Sequence, residues 1–436
     1  MKLLLITDEV WNDRIHGNNV LTNWLSGFDG EIAHIYCSPG LPNNGFCRKY
    51  FRFTDRGMLN SILRRGYQDG QRVEKMEAAG EKDSSWTDVS GIGFLKKYMG
   101  NTLRLFKSVV WGFGRYNMEE LERFVTEFSP DLIFSARFAT TKILRLERTV
   151  LSIAKCPIVA FTGDNEYSLR KFSLSPVFWL NEFILRSKLR HMIPKYSLYY
   201  TLSEEQKQEY ENYFGIRVKT LHKCGDVTNT ADKETQHPIR MVYAGKLYCG
   251  RWKTLSAIGM ALKEINRDGV KMILDIYTRD SLYEKQKKLL DDGKNIFLRG
   301  AAKPEEIPQI YEKSDIALHV ESFDLQHRLS TRVSFSTKII DCLASGCAVM
   351  AIAWKEHSGL TYLQREDAAV CIDHPKKIEA TLQKIANHPK IVAEYRQKAL
   401  ECLKKNHLTS RVQKELYQDF DKIVKEEKMM KQEDEV

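Results

Sequence analysis

The stretch Ser334–Ile352, SFSTKIIDCLASGCAVMAI, holds the residue types and spacing that most plainly suggest chemistry. A small polar loop with Ser334, Ser336 and Thr337 leads into a helical pattern from Lys338 to Ser345, which Gly346 ends before an apolar strand. A helix N-terminus offers backbone N–H groups without intrahelical partners and a partial positive charge, so it can cradle a phosphate. Ser336, Thr337 and Lys338 add donors at that end. Asp341, one turn on along the same face, could accept hydrogen bonds from a sugar diol. A plain loop, helix and terminal glycine without a ligand fits the same letters, and the residue types leave both readings open.

Other chemistries have little support. No GxGxxG follows a strand pattern, and there is no GxxxxGK[ST], HExxH or GxSxG. His319 and His327 lie eight residues apart and read as a strand-lining and a surface residue, so no metal is expected. The nine cysteines form no CxxC pair; their odd, scattered distribution suggests reduced thiols instead of a disulfide frame or zinc site.

The elements that must position these residues alternate between strand and helix. Short apolar runs occur at residues 2–7, 31–37, 131–135, 157–162 and 198–202, with helical patterns between them, notably Met118–Phe128. After the first run comes the loop His16-Gly17-Asn18-Asn19, at the carboxyl end of a strand, where open α/β sheets bind ligands. Residues 225–238 are polar and rich in breakers, and a linker is placed at 227–238. A second series of runs follows at 239–244, 272–277, 295–298, 316–320 and 348–353, with a helix over about 254–268. Alternating β and α units predict parallel sheets, hence an α/β chain of two doubly wound domains, 1–226 and 239–410, with a C-terminal helix and charged tail over 411–436. Residues 40–118 fit least well and read as an insertion in the first domain.

Composition agrees with this. The 436 residues are 43% hydrophobic and 28% charged, enough to bury two cores and too apolar for a disordered chain. No apolar run approaches the ~18 residues of a membrane span. MKLLLITDEV reads as a first strand and not a secretory signal, which points to the cytoplasm. The net charge of +10 predicts an anionic partner. Nucleic acid is disfavoured, because no helix-turn-helix, zinc-finger, RRM or KH signature is present.

At Ser336–Val349 the spacing S-x-K-x-x-D-x-L-A-x-G-x-x-V resembles the nucleotide-sugar signature of family 4 glycosyltransferases, which have the GT-B fold of two Rossmann-like domains facing across a cleft. The resemblance implies that Ser336, Thr337 and Lys338 contact donor phosphate and Asp341 the ribose. Asp341 replaces the family's usual Glu. Val333 stands where many relatives carry an acid on the donor sugar. Gly245-Lys246-Leu247 with Arg251 and Lys253 resembles the element that clamps the donor diphosphate, Lys246 matching best and Arg251 and Lys253 competing for the second role. Arg299 falls near the base-binding strand, and Glu321 is either a donor contact or a helix-capping acid. In the first domain, Gly17 with His16, Asn18 and Asn19 resembles the glycine-bearing loop that faces acceptor and donor phosphates. Asp164 matches the Asp of a strand-ending His-Asp pair whose His place is taken by Gly163, which makes it the candidate for organising the acceptor hydroxyl. An Asx-turn would explain Asp164 equally well.

Residues 91–118 and 169–196 combine basic and aromatic side chains with a single acid, Glu182. Such segments can lie in an anionic membrane interface, or simply bury an aromatic face and solvate a basic one. The resemblance implies a metal-independent, retaining transfer from a nucleotide sugar to a saccharide or polyprenyl-linked acceptor, in bacterial surface-polysaccharide assembly at the inner membrane face. A sugar-nucleotide epimerase of the same fold and a silent sugar-nucleotide-binding scaffold are the alternatives.

Overall fold

A computed structural model describes residues 1–14, 19–74 and 92–434. The chain divides into two compact units, Met1–Leu221 with Gln413–Val436, and His222–Val412.

The first unit is built on strands β1 (Lys2–Thr7), β2 (Glu31–Tyr36), β3 (Lys49–Arg52), β4 (Gln71–Val73), β5 (Leu132–Arg137), β6 (Ile158–Thr162), β7 (Leu198–Thr201) and β8 (Val218–Thr220). They form one sheet in the order β4-β3-β2-β1-β5-β6-β7-β8, parallel except for the edge strand β4. Runs such as LLLI in β1 are apolar throughout because helices cover both faces of a parallel sheet; Leu3, Leu4, Leu5 and Ile6 are fully buried. The region read as an insertion contributes β3 and β4 to this sheet. Its short strands, KYFR and QRV, carry too little apolar alternation to stand out in sequence.

The C-terminal helix Thr409–Asp434 is charged overall but buries one stripe. Leu416 and Phe420 are in the core, Phe420 packs on Phe134 with ring centroids 5.2 Å apart, and Asp419 accepts from the Tyr200 hydroxyl at 2.7 Å. From Gln413 on it is therefore part of the first unit, not a free tail.

The second unit holds β9 (Ile239–Ala244), β10 (Met272–Tyr277), β11 (Ile296–Gly300), β12 (Ile316–Val320), β13 (Ala348–Ile352) and β14 (Val370–Ile372). All are parallel, in the order β11-β10-β9-β12-β13-β14. The strand order reverses between β9 and β12, and the crevice at their carboxyl ends is where such a sheet receives ligands.

The stretch read as a linker is tied into this unit. Thr228 bonds the Ala344 carbonyl, Asn229 the Pro308 carbonyl at 3.0 Å, and Lys233 the Ser314 carbonyl at 2.5 Å. Gly346 has φ +70, and a Cβ there would lie 2.5 Å from the Thr230 carbonyl, so only glycine lets this stretch cross the end of the preceding helix. The nine cysteines form no disulfide with one another. No helix among the described residues is long and apolar enough to cross a membrane.

Candidate functional site

In the second unit the segments after β9 and β12 bring most of the predicted donor residues together. β9 ends in Ala244, and Gly245 and Lys246 turn away from the sheet, the Lys246 carbonyl accepting from the Tyr243 hydroxyl at 2.6 Å. A Cβ on Gly245 would lie 2.3 Å from Lys338 Cε, so the Lys338 side chain runs directly over this turn. Lys338 belongs to the helix Thr337–Ala344, with Ser336 as its extended N-cap making no side-chain cap bond. The two motifs, more than 90 residues apart in sequence, thus meet at the crevice. Burial lowers the Lys338 pKa, Asp341 opposing it and the Arg251 and Lys223 charges adding to it.

Arg251 and Lys253, interchangeable in sequence, have different surroundings. Gly250, at φ +76, starts the helix Arg251–Ile265; a Cβ there would also press on Ser322 Oγ at 2.8 Å. Arg251 is buried and donates to Glu321 through Nε to Oε2 at 3.0 Å and Nη2 to Oε1 at 2.5 Å. Lys253 is exposed and pairs with Asp324 at 2.6 Å. Glu321 follows β12 directly and caps no helix with its carboxylate. Burial works to raise its pKa, but Arg251 and the neighbouring imidazoles outweigh this and the carboxyl lies below its ordinary range.

Asp341 is paired with Lys223 at 2.7 Å, and Val333 is buried. Arg299 is not gathered with the others. It lies on the edge strand β11, stacked over Phe297 and bonded to Asp275 at 2.6 Å.

A cluster absent from the sequence reading lies beside Arg251. His319, Glu321 and His357 are all buried, and one ligand-type atom from each falls within 4.8 Å of the others. His319 and Glu321 are alternate residues at the end of β12 and so point the same way. That i, i+2 spacing was the available signal; His357, from the loop after β13, had none. Such a trio has the composition of a metal site. Here both oxygens of its only carboxylate already receive Arg251. Burial pushes the His319 pKa down to about 3, keeping the ring neutral.

In the first unit, His16, Gly17 and Asn18 lie outside the described residues. Asn19 is the left-handed N-cap of the helix Val20–Leu25. Asp164 follows β6 at the surface, with Oδ1 accepting from the Asn165 N–H at 2.8 Å. Crowding by the surrounding chain raises its pKa, the Asn165 N–H opposing. This bond reaches only the next residue, not the one two further on as in the Asx-turn offered as the alternative; the loop is fixed by a buried network that the sequence did not reveal. Arg137, at the end of β5, bonds Glu147 and both oxygens of Glu166 at 2.9 Å, while Tyr196 and Tyr199 donate to the same carboxylates.

Residues 262–418 match a family model described as glycosyl transferase-like. Among solved structures, Anabaena HepE in complex with UDP and glucose superimposes with a TM-score of 0.60 at 13% identity, covering 97% of this chain and 100% of that one. Sucrose-phosphate synthase from Thermosynechococcus elongatus gives 0.60 at 10% identity over 97% and 99%. An α,α-trehalose-phosphate synthase from Burkholderia xenovorans, in complex with glucose-6-phosphate, gives 0.57 at 10% over 97% and 100%. No curated protein sequence matches the chain.

The chain has the GT-B fold. Within that fold, the family match falls almost wholly inside the second unit, where the crevice cations lie. The basic groups that converge there are Arg251, Lys338 and the Lys246 turn, with Glu321 as the buried counter-charge.

Proposed function

We propose that this GT-B chain is a glycosyltransferase whose second unit binds a nucleoside-diphosphate sugar at the carboxyl ends of β9 and β12. The observation that carries the reading is the pairing of a buried Arg251–Glu321 bridge with Lys338 laid over the Gly245 turn, at the point where the strand order reverses. Two buried or half-buried cations against one buried carboxylate leave an excess of positive charge, which suits a diphosphate.

In the reaction, the bond from the sugar's anomeric carbon to the diphosphate oxygen breaks, and the diphosphate departs with the electron pair. The acceptor hydroxyl oxygen forms the new bond and passes its proton to the departing diphosphate oxygen. Charge grows on the leaving diphosphate, and fixed cations aimed at it stabilise that transition state more than the ground state. Arg251, Lys246 and Lys338, with the N-terminus of the Thr337–Ala344 helix, supply this charge without a metal ion. Ser336 and Thr337 add hydroxyl donors, Asp341 takes the ribose diol, and Asp164 in the first unit orients the acceptor hydroxyl. Lys253 and Arg299, held outward by Asp324 and Asp275, play secondary roles in this scheme.

Uridine is the proposed base, since HepE was solved with UDP. Retention of configuration, family 4 membership, a saccharide or lipid-linked acceptor and a role in surface-polysaccharide assembly complete the proposal; they rest on the resemblance of the Ser336–Val349 motif.

The test is a thermal-shift series with UDP, GDP, ADP and CMP, followed by donor hydrolysis with the nucleotide that binds. Ligand at ~100-fold over its Kd stabilises the folded state by about 2.7 kcal/mol, a shift of several degrees. A shift with UDP and slow release of free sugar from the UDP-sugar are expected. Absence of any shift would remove the donor site; a shift with no hydrolysis or transfer would leave a binding protein.

A further inference from the structure

The helices Ile92–Phe113 and Pro176–Met192 pack against each other in the first unit, and neither is used by the donor site. Asn181 donates to the Asn101 carbonyl at 2.9 Å and Arg104 to Glu182 at 3.1 Å. These bonds set the turn carrying Leu103 and Phe106 beside the turn carrying Leu180 and Phe183. All four of these apolar side chains are exposed, and Leu174, just ahead of the second helix, is 89% exposed. A helix pair in a soluble core would turn such residues inward, and large apolar patches left outside mark interaction surfaces.

The segment that carries the second helix is almost wholly basic, although the exposed Asp164 lies near its Lys171. Residues 169–196 hold six Lys and Arg side chains and one acid, Glu182. Glu182 is buried and receives both Arg104 and Lys171, so that segment displays no carboxylate on its outer face. Lys188 and Arg190 are exposed on it. Lys188 also feels Arg148 and Arg145, and burial together with these like charges lowers its pKa. Like charges held together beside exposed Leu and Phe fit a partner that is anionic at its surface and apolar beneath.

We propose that this face docks on an anionic lipid bilayer, Leu174, Leu180 and Phe183 entering the interface and Lys188 and Arg190 meeting the headgroups. This is the geometry of a helix lying in the plane of a membrane surface, with its basic residues at the headgroups. The inference stands apart from the donor-site reading.

Flotation of the full chain with vesicles tests it. Phosphatidylcholine vesicles are compared with vesicles containing phosphatidylglycerol, at low and high salt. The expected result is binding to the anionic vesicles, weakened by salt, and reduced at least tenfold in Lys188→Glu/Arg190→Glu and in Leu174→Ser/Phe183→Ser. Both variants should keep the wild-type melting midpoint and nucleotide response, which separates this result from any failure of the donor site. Wild-type protein that stays unbound, or variants that float equally well, would overturn the proposal. So would sedimentation showing a dimer that the Leu174→Ser/Phe183→Ser variant converts to monomer, because the occupant would then be a second copy of the chain.

Discussion

Arg251 closes two guanidinium hydrogen bonds on the carboxylate of Glu321, at 3.0 and 2.5 Å, with both side chains withdrawn from solvent. A buried pair of this kind gains little over an apolar replacement, yet removing one member strands the other charge. Its placement at the β9–β12 reversal therefore makes more sense as a rigid mount for a cation than as a device for stability. Glu321 holds the guanidinium in one orientation, and Lys338 stands nearby to share an incoming anion.

Glu321→Ala should accordingly cost about 3–5 kcal/mol, the usual loss when one partner of a buried pair is deleted. Arg251→Lys should cost less and keep the fold, since the charge stays, but a lysine cannot reproduce the two-pronged geometry. Urea titration separates the two. With Arg251→Lys the UDP-induced thermal shift should shrink while the unliganded midpoint moves only slightly; an unchanged shift would remove Arg251 from the donor site.

The protein should lose stability in mild acid because of its buried histidines. Burial pushes His34, His319 and His407 each down to about 3, with His222 adding to the effect on His407. An unfolded histidine titrates near 6.5. Between these values the unfolded chain binds up to three protons that the folded chain does not, so stability is complete above pH ~6.5 and falls as the pH drops toward 3. Each histidine contributes a slope of about 1.4 kcal/mol per pH unit in that window. Urea midpoints at pH 7, 6 and 5 check the sign, and His34→Gln should flatten the curve by one histidine's share.

The strands around the site were legible because a strand covered on both faces is a short, unbroken apolar run; IRMVYA and IALHV became β9 and β12 with the same ends. The three-residue strands QRV and VKT carry no such run, and the short apolar stretch at VCI was not read as a strand either. The Ser336–Lys338 helix start was visible because local chain geometry dictates it. Distant partners were not. Nothing near Asp341 points to Lys223, nothing near Arg137 points to Glu166, and nothing in the polar run read as a linker at 227–238 shows that Thr228 and Lys233 bond the ends of other elements. The same holds for His357, which reaches His319 and Glu321 only because β13 lies next to β12.

Lys223 should compete with nucleotide for Asp341. The two side chains are 2.7 Å apart and partly exposed, so the pair is worth no more than ~1 kcal/mol. If Asp341 takes the ribose diol, Lys223→Met releases it and tightens UDP binding by up to about fivefold, whereas Asp341→Ala abolishes the UDP shift. Calorimetric titration of both variants gives the comparison. Weaker binding in Lys223→Met would mean that Lys223 itself contacts the nucleotide.

The C-terminal helix should be a structural member of the first unit, and Phe420 is the place to show it. Its ring is fully buried and packs on Phe134, a β5 residue whose ring also lies near Trp24. Phe→Ala in a packed core typically costs 3–5 kcal/mol, the transfer loss adding to that of the cavity. Phe420→Ala should therefore lower the unfolding midpoint strongly. The nearby Asp419→Ala should cost about 1–3 kcal/mol, because the buried Tyr200 hydroxyl loses its acceptor. Neither side chain belongs to the donor crevice, so UDP affinity measured well below the midpoint should stay within twofold of wild type. A helix that merely trailed from the domain would give no loss in either variant.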